Sequence, residues 1–90
     1  TLPEAGAPEK FRLAADEYVA AAQSYPTPAG KADLFRRAAD CFRRANDPNA
    51  ALGAADQILA LPGVSAESTA AAWLEKGEAF LAAHRYDDAA

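Results

Sequence analysis

Apolar residues recur at helical spacing along most of the chain, and short clusters of proline, glycine and capping residues interrupt them. Phe11, Ala15, Tyr18, Ala22 and Tyr25 stand at steps of four, three, four and three, one amphipathic stripe that predicts a helix over 9–24. Pro26 stops it, because the residue before a proline is pushed out of the helical region. Thr27-Pro28 then reads as an N-cap followed by proline at the first helical position. The helix it opens carries Leu34, Phe35, Ala38, Ala39, Cys41, Phe42 and Ala45 on one broad face, and Arg36, Arg37, Asp40, Arg43 and Arg44 on the other. Asp47-Pro48 repeats the device and starts a third helix with Ala51, Ala54, Ala55, Ile58, Leu59 and Leu61, which Pro62-Gly63 ends. Ser65 caps a fourth helix reaching to about Ala83, with Trp73, Gly77, Phe80 and Leu81 expected inward. His84-Arg85 read as a turn, and Tyr86 to Ala90 as the first turn of an uncompleted fifth helix.

The pattern contains a repeat. Phe35, Ala39, Phe42 and Ala51 have partners 38 positions later in Trp73, Gly77, Phe80 and Ala89, and Tyr25-Pro26 and Leu61-Pro62 lie 36 apart. Helices joined by turns of about three residues lie antiparallel, and small residues where they touch permit close approach. The expected fold is therefore all-α, built from stacked antiparallel helix pairs. Residues 1–8, with two prolines and a glycine, read as a flexible lead-in, and 9–90 as one helical repeat domain of about two and a half pairs, the last incomplete.

At this length and spacing the chain resembles the tetratricopeptide repeat family. The family pattern places Trp, then Leu-Gly, then Tyr on the first helix of a unit and Ala on the second. Trp73, Gly77, Phe80 and Ala89 fall on those positions, with Lys76 in place of the leucine, and Phe35, Ala39, Phe42 and Ala51 match one unit earlier. The resemblance implies a right-handed α-solenoid fragment that binds a peptide or partner protein in a groove lined by the first helix of each pair. The Tyr25-Pro26 linker and its 36-residue spacing are similar to tandem-repeat proteins of the bacterial cell envelope, and 42–48 to vesicle-fusion adaptors of the soluble attachment-protein type.

Composition narrows the choices. Half the residues are apolar but most of these are alanine, which suits closely packed helices; β-branched residues are too few for a sandwich. A net charge of −4 argues against general nucleic-acid binding, and no apolar run approaches the roughly 20 residues of a membrane span. Cys41 is the lone cysteine, so no internal disulfide forms; it fits a reducing compartment and is compatible with an oxidising one, so the cytoplasm and the cell envelope both stay open. The chain begins at Thr1 without methionine, and upstream sequence is expected to have been removed.

The candidate partner-binding group is Arg36, Arg37, Asp40, Arg43 and Arg44. Residues 31–44 hold five basic and two acidic side chains, a local +3 in an acidic chain. One reading is a surface for an acidic or carboxylate-bearing peptide; the other, slightly favoured, is a solvated face laced by Asp33–Arg37, Arg36–Asp40 and Asp40–Arg44 pairs. The chaperone-binding branch of the family clamps a carboxylate with Lys and Asn. Arg36 and Asp40 stand at the corresponding positions, and an aspartate there repels a carboxylate.

His84 lacks a second histidine or cysteine nearby, Cys41 lies on an apolar face, and Asp87-Asp88 fit a helix start. No metal, cofactor or catalytic set is expected, and the chain reads as a binding scaffold rather than an enzyme. The alternative is a self-assembly module that pairs with a second copy through the open face around Trp73, Phe80 and Ala89.

Overall fold

A computed structural model describes the backbone of residues 7–89 and the side chains of 8–84. Four helices follow one another: α1 (Ala7–Ser24), α2 (Pro28–Arg44), α3 (Pro48–Ala60) and α4 (Ala66–Ala89), and no strand occurs among the described residues. The fold is all-α, as the periodicity predicts. Most of the expected lead-in, residues 1–6, lies outside the described residues, and α1 begins two positions earlier than the pattern suggested.

The punctuation works as the residues dictate. Thr27 Oγ1 accepts from the Gly30 backbone N–H (3.1 Å), and Asp47 Oδ1 from that of Ala50 (3.2 Å), each with proline just inside the helix. Ser65 Oγ accepts from the Ser68 N–H at 3.1 Å. Asn46 closes α2 in the left-handed region (φ 63°), which asparagine tolerates better than most residues, and the Asp47 N–H reaches back to the Phe42 carbonyl. Lys31 ends α1 from outside: its ammonium donates to the Ala22 and Gln23 carbonyls at 3.1 and 2.9 Å.

Two apolar clusters run through all four helices. One gathers Ala15, Ala38, Ala39, Phe42, Ala51, Ala54 and Ala79; the other gathers Ala22, Ala32, Phe35, Ile58 and Ala72. Their membership sets the directions. Phe35 meets Ala22 and Ile58 while Phe42 meets Ala15 and Ala51, so α2 is antiparallel to both α1 and α3. Ala72 joins Phe35 and Ala79 joins Phe42, so α4 runs parallel to α2. Among the described residues the buried apolar side chains larger than alanine are Phe35, Phe42, Ile58 and the helix-starting Pro48. The helices are therefore held by backbone-close contact over small side chains, with Phe35, Phe42 and Ile58 filling between them.

Two expectations for α4 need correction. The turn at His84-Arg85 and the fifth-helix stub are absent: α4 continues as one helix to Ala89. No proline or glycine interrupts the chain after Gly77, and Leu81, Ala82 and Ala83 favour helix, so nothing local stops it. This puts the backbone of Asp87 and Asp88 in the last turns of a helix rather than the first. Their side chains, and that of Ala89, lie outside the described set.

Nor do Trp73, Gly77, Phe80 and Leu81 face inward. Trp73, Phe80 and Leu81 are 58, 57 and 61% exposed, and a Cβ on Gly77 would meet nothing within 4 Å. α4 instead turns Ala72, Glu75 and Ala79 toward α2 and α3. That small-residue face allows closer approach than a tryptophan would, and no other described helix covers the larger one. In α1, Ala15 and Ala22 are fully buried, whereas Tyr25, placed on the same stripe, sits past the helix end and is 46% exposed.

Phe42→Ala should destabilise the fold by about 3–5 kcal/mol, the usual cost of emptying a core phenylalanine site. Phe11→Ala should cost less, because Phe11 is half-buried near the start of α1 and its ring faces Arg44 across 5.7 Å. Urea midpoints compare the two, and equal midpoints would contradict this packing. The glycines separate likewise. A Cβ at Gly30 would fall onto Cδ2 and Cε2 of the Tyr25 ring, while one at Gly77 is in open space. Gly77→Ala should stabilise by about 0.5–1 kcal/mol by removing glycine's backbone entropy from a helix. Gly30→Ala should lose that gain because the ring must move, and thermal unfolding of dilute protein distinguishes them.

Candidate functional site

α2 and α4 run side by side, and the charged side of α2 borders their seam. All four arginines are engaged. Asp33 accepts from Arg36 (3.2 Å) and Arg37 (2.9 Å), and Asp40 accepts from Arg43 (2.7 Å) and Arg44 (3.0 Å). These are i,i+3 and i,i+4 pairs along one helix, each worth about 0.3–0.5 kcal/mol. The expected Asp33–Arg37 and Asp40–Arg44 pairs form; in place of Arg36–Asp40, each aspartate is forked by two arginines. The Arg37 hydrogen bond is the main reason the Asp33 carboxyl titrates below its ordinary range.

Arg43 also leaves its own helix. Its Nη2 lies 3.6 Å from Glu78 Oε1 and 4.0 Å from Glu75 Oε1, so one guanidinium ties α2 to two carboxylates of α4. Among the described residues Glu75 is the buried charged side chain, at 9% exposure. Neither its Oε1 nor Arg43 Nε has a hydrogen-bond partner. Burial pushes the Glu75 carboxyl above its ordinary value, Arg43 pulls it partly back, and Glu78 and Asp40 add to the rise. The sequence reading passed over Glu75. Its signal was a carboxylate three residues after Ala72 and four before Ala79, in the middle of a small-residue stripe.

Three clefts follow the seam. The first, about 240 Å³, lies among Ala29, Asp33, Arg36, Glu67 and Ser68. The second, about 380 Å³, is bounded by Tyr18, Arg36, Arg37, Asp40 and Glu75, and the third, about 310 Å³, by Arg43, Glu78, Leu81 and Ala82. All five partner-binding candidates thus lie along one side of α2, and four of them (Arg36, Arg37, Asp40 and Arg43) line the clefts. Arg36, Arg37 and Arg44 remain about half exposed with unused N–H donors. The seam offers charge-assisted hydrogen bonds from the α2 side against a carboxylate withdrawn from solvent on the α4 side.

The remaining candidates lie apart. Cys41 is half-buried against the core, and burial followed by the Asp40 charge pushes its thiol up, away from reactive thiolate. His84 sits in helix rather than in a turn and meets Phe80 edge-on, with ring centroids 4.6 Å apart. Among the described residues no cluster of His, Cys, Asp and Glu could hold a metal ion, and no helix is long and apolar enough to cross a membrane. Comparison with family models, with curated proteins and with solved structures found no match to this chain.

Glu75→Gln tests the buried carboxylate. Because the folded state holds its proton more tightly than the unfolded state, charged Glu75 costs stability above its raised folded pKa. That cost falls away as pH drops through the raised value and is gone below the unfolded pKa. Glu75→Gln should therefore be more stable than wild type at pH 7, with the gap narrowing at acid pH. Urea unfolding of both proteins at neutral and mildly acid pH checks this, and a pH-independent difference would contradict it.

Proposed function

We propose that the chain is a tetratricopeptide-type stack of helix pairs that acts as a protein-interaction scaffold, taking a carboxylate-bearing segment of a partner protein along the seam between α2 and α4. The observation that carries this reading is the in-phase placement of α2 and α4. Ala72 shares a cluster with Phe35 and Ala79 with Phe42, so α4 lies parallel to α2 and level with it, as neighbouring units of a stack would. Two such helices side by side make an elongated, sidewalled surface, and the row of clefts lies on it.

The chemistry favours an acidic segment over a basic one. Arg36, Arg37 and Arg44 keep free donors at the surface, and their pairs with Asp33 and Asp40 are weak enough to be exchanged for a ligand carboxylate. Glu75 is buried and Glu78 is held by Arg43, so the α4 side opposes such a ligand less than its formal charge implies. Binding rather than catalysis is the expected activity, since the charged groups of the seam are arranged against one another and not about a nucleophile. A second reading, self-assembly, draws on the outer face of α4, which borders the third cleft of the seam at Leu81 and Glu78.

Titrating an acidic peptide of about a dozen residues tests the seam. Arg36→Ala/Arg37→Ala should weaken binding by about tenfold, or about 1.4 kcal/mol, without loss of fold. Arg43 is better left in place because it partners buried Glu75. Binding should weaken from low to physiological salt as screening shortens to roughly 8–10 Å. Equal affinity of variant and wild type, or salt-independent binding, would remove the arginines from the function.

A further inference from the structure

The outer face of α4 carries an apolar stripe that no other helix covers among the described residues. Trp73, Leu74, Phe80 and Leu81 are each about three-fifths exposed, and Gly77 lies open between them. At 3.6 residues per turn these five positions fall in roughly a 120° sector of one helix. An aromatic side chain buries about 150–250 Å² and leucine somewhat less, so the stripe leaves on the order of 400 Å² of apolar surface in water. That lies within the range of the largest patches on monomers, which often mark interaction sites.

The stripe is symmetric about Gly77, with large residues at −4, −3, +3 and +4 and none at the centre. Its two aromatics share one flank and its two leucines the other. We propose that α4 pairs antiparallel with α4 of a second copy of this chain, the two-fold axis passing at Gly77. This rests on the self-assembly reading and adds its geometry. About that axis Trp73 falls beside Phe80 of the second copy, and Leu74 beside Leu81 of the second copy. The glycines face each other and let the helices approach closely. A surface that is its own complement in this way defines an isologous interface.

Charge does not oppose the arrangement. The residues flanking the stripe are Lys76 and Glu78, and the two-fold axis brings each toward its own counterpart. Each is already held inside its own chain: Lys76 lies 2.8 Å from Asp56 and over the Trp73 ring at 4.9 Å, and Glu78 lies 3.6 Å from Arg43. A foreign partner would find no free charge of one sign to recognise there, whereas a second copy needs none. Two stripes with the flanking Ala70 and His84 cover about 1,000 Å² in total, at the low end for specific association, so the dimer is expected to be weak and reversible.

Sedimentation of the 90-residue chain over micromolar to millimolar concentration should give a monomer–dimer equilibrium and nothing larger. Trp73 is the only tryptophan, so its emission should move to the red on dilution. At the axis a residue meets its own copy. Gly77→Lys and Gly77→Glu, which the open site accommodates in the monomer, should therefore each be monomeric, and an equimolar mixture should dimerise again. A wild-type chain that stays monomeric with unchanging emission, or a mixture that does not re-associate, overturns the proposal. So does open-ended aggregation. If either variant loses its helical circular dichroism, wild-type sedimentation and Trp73 emission decide the matter by themselves. Loss of acidic-peptide binding by Arg36→Ala/Arg37→Ala with the dimer intact would separate the seam from this face.

Discussion

Alanine-to-alanine contact between neighbouring helices is the constraint on which the rest of the structure depends. Ala38 and Ala39 on α2, Ala51 and Ala54 on α3, and Ala79 on α4 are essentially fully buried in one cluster. A buried alanine removes little apolar area from water, so each contributes a small hydrophobic gain. It also loses no side-chain rotamer freedom, and it lets backbones approach closely enough for dispersion contacts to accumulate. Phe35, Phe42 and Ile58 then supply the bulk that small side chains leave unfilled. Such a core tolerates little variation in helix spacing, which keeps α2 and α4 in phase.

The same constraint accounts for the exposed stripe. α4 has two faces that could pack, one of alanines with Glu75 and one of Trp73, Gly77 and Phe80. Only the first matches the small surface offered by α2 and α3. Taking it places a carboxylate in the interior, where dehydration of the charge is only partly offset by Arg43. A buried charge beside one arginine is weak evidence of stabilisation. It does tie α4 to α2 at one register, since Glu75 and Glu78 meet the same guanidinium.

The arginine face shows how a local charge count can mislead. Residues 31–44 read alone carry a surplus of +3. Folding brings Glu75 and Glu78 against Arg43, and each aspartate gathers two arginines, so the surplus is largely met within the molecule. What remains is directional: half-exposed guanidinium donors along one side of a line of clefts.

Local chemistry was readable from the residues because it acts over one helical turn. The caps at Thr27, Asp47 and Ser65, the prolines behind the first two, and the stop at Pro62-Gly63 are short-range effects, and the helix boundaries follow them within a few residues. Burial of Ala15, Ala22, Phe35, Phe42 and Ile58 was also legible, since each lies on an apolar stripe of a helix with a distinct polar side. The facing of α4 was not. Its alanines are spread around the helix, so periodicity leaves two competing stripes, and the choice between them belongs to the surface it meets. Likewise Lys31 on the end of α1, Arg12 on Asp47 at 2.8 Å, and Arg43 on Glu75 join residues 8 to 35 positions apart. No spacing rule relates such pairs; only the packing of helix on helix brings them together.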